Sequence, residues 1–407
     1  MISRSTKRKL SSTSSSCRRC RCHRDQVMMW MVFIIAILIM ERLWRLPLNF
    51  ENNHDYHRQS FLSSSPDHHH HNDCSSNNIN DDSRNQKRQQ QQRIPLHELT
   101  KERNPQRHHV CQQRNDTNNM QYIENKELSR AKQTSKIPKI IHQTFPNRCI
   151  PISFYQNVSN QWRSLHSHEY YFHDNDAMDQ LLHWAATAIP QFSNLQFVLQ
   201  HCVTSWTLKA DIWRYLVLWL YGGIYADFDT APNEFNATTI NDDNDAFFVV
   251  EQYHMLSQYF MAVSPRHPLM FYAIQRSIFN LMQSPDTLQI DAAYKTGPHA
   301  LHKAFQDFQR DAGILVDSNN NKYKKATIQA GTYVGSYNRT VRVVGTARNE
   351  NQYVHRLALK PSERLKGYQQ MGMVHFSSYS DFRSKRSGIS CMAAIMNATM
   401  ILDDDDE

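Results

Sequence analysis

The chain is 407 residues long, with 40% hydrophobic and 21% charged residues and a formal net charge of +8. Its length could hold two domains, but the composition argues for one. The charge excess is local: residues 1–26 carry eight Lys/Arg against Asp25, residues 27–135 stand at +2, and from Lys136 onward 24 basic residues face 25 acidic ones. The expected folded part therefore has no basic excess, which removes the main support for a nucleic-acid partner.

Behind the basic tail (1–26), residues 27–40 read VMMWMVFIIAILIM, uncharged and mostly large and apolar. A bilayer span needs about 20 residues, so the length alone fits a signal-peptide core as well as an anchor. Leu43, Trp44, Leu46 and Leu48 extend the run, and no small-x-small cleavage site follows it. The basic residues lie on its N-terminal side, which places that side in the cytosol. The expectation is a single signal-anchor transmembrane helix over 27–48 with the C-terminal part in the lumen. A span this short suits the thinner membranes of the early secretory pathway. Cys17, Cys20 and Cys22 lie just before it. They are expected as free thiols or palmitoylation sites, since a zinc site would find only His23 as a fourth ligand. Residues 49–135 are polar and biased, with His at 68–71 and Gln at 89–92, a composition expected to form a disordered stem.

Structure is expected from Ile137. The segment 137–145, IPKIIHQTF, reads as a buried first strand, with Pro138 tolerable only near its beginning. A helix follows over 153–165, capped by Ser153 and carrying Trp162, and then a strand over 169–172 that ends at His173-Asp174. Residues 209–221 are apolar at helical spacing, with Ile212, Leu216, Trp219 and Leu220 on one face. Gly222-Gly223 stops that helix. The next residues, 224–229 (IYADFD), alternate as a short strand entering a core, which puts Asp227 and Asp229 on one strand face. Asp211 and Arg214, spaced i, i+3, share a face of the helix. Alternation of strands and helices predicts an α/β fold with a mostly parallel central sheet, whose ligands bind beyond the carboxyl ends of the strands. Two adjacent carboxylates repel, and a divalent cation bridging them to phosphate oxygens compensates this well. Taken alone, the triplet fits a solvated turn, and Asp211/Arg214 a surface ion pair.

In combination, Asp211, Arg214, Gly222-Gly223, Tyr225, Asp227 and Asp229 fix a spacing over about twenty residues. This stretch resembles the signature of the glycosyltransferases with a DXD sugar-binding region, the family of the fungal initiating α-1,6-mannosyltransferase and the inositol-phosphoceramide mannosyltransferases. The clostridial glucosylating toxins are more distant relatives. Residues 137–144, IPKIIHQT, resemble a second family hallmark, with Phe145 where tryptophan is usual. The resemblance implies a GT-A-like nucleotide-sugar-binding fold, and it implies roles. Asp229 holds Mn2+ (or Mg2+) on the donor diphosphate, and Asp227 touches metal or ribose. Asp211 and Arg214 orient the sugar, and Tyr225 lines the donor pocket. His142 and Gln143 contact the nucleotide, although His142 fits packing under the sheet equally well.

Downstream, 246–251 (AFFVVE) is expected as a buried strand with Glu251 at its end, either at the acceptor side or on the surface. Helices are expected over 271–282 and 299–308. Thr296-Gly297-Pro298 before the second matches a family element in which Gly297 brings a backbone amide near the donor sugar; an ordinary helix start reads the same way. His375, in a segment resembling a family His-x-x-x-Ser-aromatic element, is implied as a further metal ligand or is core. The terminal DDDDE is expected as a solvated tail. Sequons at Asn115, Asn157, Asn236, Asn338 and Asn397 suit a lumenal domain. There, the five cysteines at 74, 111, 149, 202 and 391 leave at least one free or paired between chains.

The expected architecture is thus a cytosolic tail (1–26), an anchor (27–48), a stem (49–135), a catalytic domain (136–395) and an acidic tail (396–407). The implied activity is a Golgi or endoplasmic-reticulum type II glycosyltransferase: metal-dependent, retaining hexosyl transfer, with mannose from GDP-mannose as the donor, to a glycan or glycolipid acceptor. The alternatives are an α-galactosyl- or N-acetylglucosaminyltransferase, or an inactive membrane-anchored binding protein.

Overall fold

The computed structural model describes residues 93–103, 111, 120–128, 134–203, 205–251, 254–285, 292–314, 328–345, 352–356 and 389–402, with side chains up to 396 in the last segment. The expected tail, anchor and most of the stem, and His375 with its neighbours, lie outside these residues. Among the described residues no helix is long and apolar enough to cross a membrane.

The strands are β1 (Met120–Tyr122), β2 (Ile140–Thr144), β3 (Cys149–Pro151), β4 (Glu169–His173), β5 (Gly223–Ala226), β6 (Thr230–Pro232), β7 (Ala246–Val250), β8 (Leu256–Val263), β9 (Gly331–Val334), β10 (Thr340–Val344) and β11 (Val354–Arg356). The longer helices are α1 (Asn175–Ala188), α2 (Ser193–His201), α3 (Trp206–Tyr221), α4 (Pro268–Gln283) and α5 (Pro298–Arg310). Seven strands form one sheet in the order β4-β2-β5-β8-β7-β10-β9. β4, β2, β5, β7 and β10 run one way and β8 and β9 the other, so the sheet is mostly parallel, as expected. Sequence reading missed β9 and β10 and, at the centre of the sheet, β8. β8 sits antiparallel between β5 and β7.

Both faces of the sheet are covered, which is why its strands read as continuous apolar runs. Alternate residues go to opposite faces. Tyr225, Phe248, Met261 and Val263 pack with α1 to α5, while Ile224, Phe247, Phe260 and Ala262 meet Trp162, Phe154 and Phe228 on the other side. That second face is closed by a helical run from Ile152 to Arg163 with a π turn, Tyr155–Ser159, in its middle. Ser153 does not cap it. Pro151 holds the capping position, and the Ser153 carbonyl instead accepts a bond from Asn157 at 2.8 Å.

Helix α3 begins earlier than its apolar spacing suggested, at Trp206, because the Ser205 hydroxyl accepts the Leu208 amide. It ends at Gly222, φ 67° and ψ −163°. A Cβ there would lie 2.6 Å from Pro265 Cδ and 2.9 Å from Pro138 Cδ. Gly223, φ 98°, opens β5 with no loop between, and a Cβ there would stand 2.6 Å from the Ile140 carbonyl.

Part of the expected stem is folded. Leu96–Leu99 is a short helix with Leu99 buried, β1 pairs with β3, and Lys126 bridges to Tyr170. A Cys111–Cys149 disulfide closes this segment onto the domain, and Cys202–Cys391 joins α2 to the helix Cys391–Leu402. Polar composition hid these contacts, which rest on single apolar residues such as Leu99, Met120 and Ile123 rather than on a periodic pattern. Of the five expected cysteines, Cys74 lies outside the described residues. Asn157, Asn236 and Asn338 are exposed; Asn115 and the Asn397 side chain lie outside.

Candidate functional site

β5 ends at Ala226, one residue before the first aspartate. Asp227 to Thr230 is a tight turn, with the Thr230 amide donating to the Asp227 carbonyl at 2.9 Å. The two carboxylates are therefore gathered by a turn rather than by strand alternation, a correction to the sequence reading. The turn is held from three sides. The Asp227 amide donates to the Tyr259 carbonyl of β8 at 2.8 Å, and the Gln143 amide group donates to the Asp227 carbonyl at 3.2 Å. Phe228 is buried among Phe145, Phe154 and Phe172, and Trp162 Nε1 donates to the Thr230 carbonyl at 2.7 Å.

Behind the turn lies a buried charge network. Arg214 Nη1 donates to Asp227 Oδ1 at 2.8 Å, and Nη2 pairs with Asp211 Oδ1 at 3.1 Å. The guanidinium stacks on Tyr225 at 4.7 Å from the ring centre, and the Tyr225 hydroxyl donates to Asp227 Oδ1 at 2.6 Å. Asp211 Oδ2 accepts the Thr296 hydroxyl at 2.8 Å. Gln258 and the Tyr215 hydroxyl tie the Thr296 carbonyl into the same network. The guanidinium between the two carboxylates explains why Asp211 can be buried and Asp227 half-buried, since an uncompensated buried charge is costly. Burial opposes the Arg214 charge, but Tyr225, Asp227 and Asp211 outweigh it and hold its proton more tightly than in water. Burial pushes Asp211 up to about 6, against the pull of Arg214 and Thr296.

Arg356, at the end of β11, completes the site from the open side. Its Nη2 lies 3.2 Å from Asp229 Oδ2 and 4.0 Å from Asp227 Oδ2. β11 pairs with β6 so that Arg356 stands opposite Thr230, the residue after Asp229. Sequence reading missed it, and no local signal marks it, for it is separated from Asp229 by 127 positions. Glu251, just past β7, is pushed up to about 7 by burial, with Arg356 pulling it down.

The fold thus brings together Asp211, Arg214, Tyr225, Asp227, Asp229 and Gln143, with Gly297 at the adjacent corner. Gly297 precedes α5, its amide donates to the Ala292 carbonyl, and a Cβ would stand 2.7 Å from Ala293 Cα. The glycine is there for close backbone packing. His142 is not brought to the cluster. It is fully buried, with Nδ1 3.1 Å from His173 and Nε2 3.0 Å from the Gly222 carbonyl. Burial lowers its pKa to about 4, so it packs as a neutral ring.

The donor set fits a hard divalent cation. Asp227 Oδ1 is taken by Arg214 and Tyr225, while Asp227 Oδ2 and Asp229 Oδ2 both face one cationic nitrogen. Among the described residues no group of three His, Cys, Asp or Glu comes together as a metal cluster, and His375, the expected third ligand, lies outside them.

Residues 153–247 match the family described as the glycosyltransferase sugar-binding region containing a DXD motif. Over 100 residues the chain is 33% identical to HOC1 of Saccharomyces cerevisiae, a protein itself named a glycosyltransferase only provisionally. That match covers 24% of either chain, so this chain spans about a quarter of the relative's length. Among solved structures, PaToxG glycosyltransferase aligns with 42% of this chain and 68% of its own, at 17% identity and a TM-score of 0.32. Asp211, Arg214, Tyr225, Asp227 and Asp229 all fall within the segment that matches the glycosyltransferase sugar-binding region containing a DXD motif.

Proposed function

We propose that the protein is a retaining, metal-dependent hexosyltransferase that moves mannose from GDP-mannose to a glycan or glycolipid acceptor. It would act as a type II membrane protein of the Golgi or endoplasmic reticulum. The observation that carries the reading is the convergence of the Asp227 and Asp229 carboxylates on one cation position, backed by the buried Asp211–Arg214 pair. The DXD-region match and the similarity to HOC1 support transferase activity. The two disulfides and the exposed sequons support a lumenal setting.

Asp227 and Asp229 would hold Mn2+, which neutralises charge on the leaving diphosphate. Arg214 fixes Asp227 so that only one of its oxygens faces the donor. Asp211, buried and held by Arg214 and Thr296, would act with Arg214 to orient the sugar, and the Gly297 corner would lie beside the donor. No carboxylate is assigned as a nucleophile.

The test is Asp229→Asn in the purified full-length chain, assayed against a panel of nucleotide sugars. Preorganised charge of this kind contributes about 3–4 kcal/mol, so transfer should fall by about 10²–10³. Metal-induced thermal stabilisation should disappear while the fold persists. A variant that transfers normally and still responds to Mn2+ would remove Asp229 from the chemistry.

A further inference from the structure

We propose that Arg356 is a built-in counter-cation. It holds the cation position between Asp227 and Asp229 while the site is donor-free, and yields it to a divalent ion only when a diphosphate is present to take up its guanidinium. The proposal rests on the metal-dependent reading above and adds an order of assembly to it.

Geometry supplies the first argument. Asp227 Oδ1 is committed to Arg214 and Tyr225, which leaves Oδ2 on the Arg356 side together with Asp229 Oδ2. Arg356 Nη2 contacts both. A compact divalent ion bridging those oxygens would meet the same nitrogen, so the two cannot occupy the point together.

The second argument is how the arginine is mounted. Its backbone is fixed by the β11–β6 register opposite Thr230, directly after Asp229. Its side chain is half-exposed, at 46%, while that of Asp229 is 5% exposed. The guanidinium also lies over Tyr259, 5.4 Å from the ring centre, and Tyr259 is the residue whose carbonyl holds the Asp227 amide. A fixed root and a half-exposed head allow the charge to move without disturbing the turn.

Charge supplies the third. Asp211, Asp227 and Asp229 against Arg214 and Arg356 leave one net negative charge among these five groups. Adding a divalent ion without a donor would reverse that sign beside a retained guanidinium. Adding it with a diphosphate would not, and phosphate oxygens suit the arginine fork.

The experiment titrates Mn2+ alone, and Mn2+ with GDP, into the full-length protein and into Arg356→Gln and Arg356→Lys, followed by calorimetry and by the electron spin resonance of the free ion. For Arg356→Gln, removal of a like charge in contact with the ion should tighten binding of Mn2+ alone by about tenfold or more. The dependence of Mn2+ affinity on GDP should largely vanish. The same variant should melt lower than wild type without metal, because its carboxylates then repel, and recover with Mn2+. Arg356→Lys should keep the wild-type pattern. If wild type binds Mn2+ with GDP but Arg356→Gln binds Mn2+ alone no more tightly, the arginine does not hold the cation position and only this proposal falls. If no form binds Mn2+ with or without GDP, the metal reading fails and takes the proposal with it.

Discussion

Asp211 shows how burial and pairing compete at one residue. Its carboxyl is raised from an ordinary 3.8 to about 6 by burial, although Arg214 lies beside it. A native acid with a raised pKa binds its proton more tightly than the unfolded chain does, so its contribution to stability is full below about pH 4 and is lost as pH rises through about 6. Asn is a near-isosteric, uncharged substitute. Relative to wild type, Asp211→Asn should therefore gain melting temperature as pH rises across that window, while losing transfer activity. Melting curves of both proteins from pH 4 to 7.5 check this. A shift in the opposite direction would mean that the Arg214 pair outweighs burial, and that the charged form is the comfortable one. Arg214 itself must keep its charge, since Asp211 and Asp227 both lean on it.

At the scale of elements, the decisive junction is helix, two glycines, strand, turn. Gly222 combines a positive φ with an extended ψ, a region essentially reserved for glycine, and has two prolines where a Cβ would go. Strain of about 1–3 kcal/mol and overpacking of about 1–3 kcal/mol should make Gly222→Ala one of the most damaging single substitutions in the chain. Urea unfolding would show it as a lower midpoint, and the turn that β5 delivers would suffer with it. Much of this junction was legible in the sequence, because apolar spacing, paired glycines and a carboxylate triplet are local signals. The exact mode of gathering was not. Asp227 and Asp229 meet through a turn fixed by Tyr259, Gln143 and Trp162, contacts contributed by distant segments. β8 escaped for a related reason. Buried on both faces, its run LSQYFMAV carries no period that separates it from its surroundings. Arg356 was invisible as a site residue because nothing near it in the chain speaks of the aspartates it meets.

For the whole molecule, Cys202–Cys391 is the longest-range covalent tie described, with a sequence separation of 189. Replacing both cysteines by serine should cost about 2–5 kcal/mol. In a domain of this size that lowers the melting temperature by roughly 5–15 °C, and wild-type protein melted in reductant, which also opens Cys111–Cys149, should fall at least as far. Parity of the cysteines was countable beforehand; their pairing was not, since it depends on where α2 and the Cys391–Leu402 helix finish in space.

That same bridge turns residues 202–391 into a covalent ring, and the ring contains Asp211, Arg214, the aspartate turn, Thr296 and Arg356. A ring survives one cut. A protease that nicks the chain once between the two cysteines should leave both pieces joined, migrating together on a non-reducing gel and separating only after reduction. A nicked preparation can therefore keep every residue of the network on one covalent object, whereas the same nick after reduction leaves only noncovalent packing to hold the two halves of the site together.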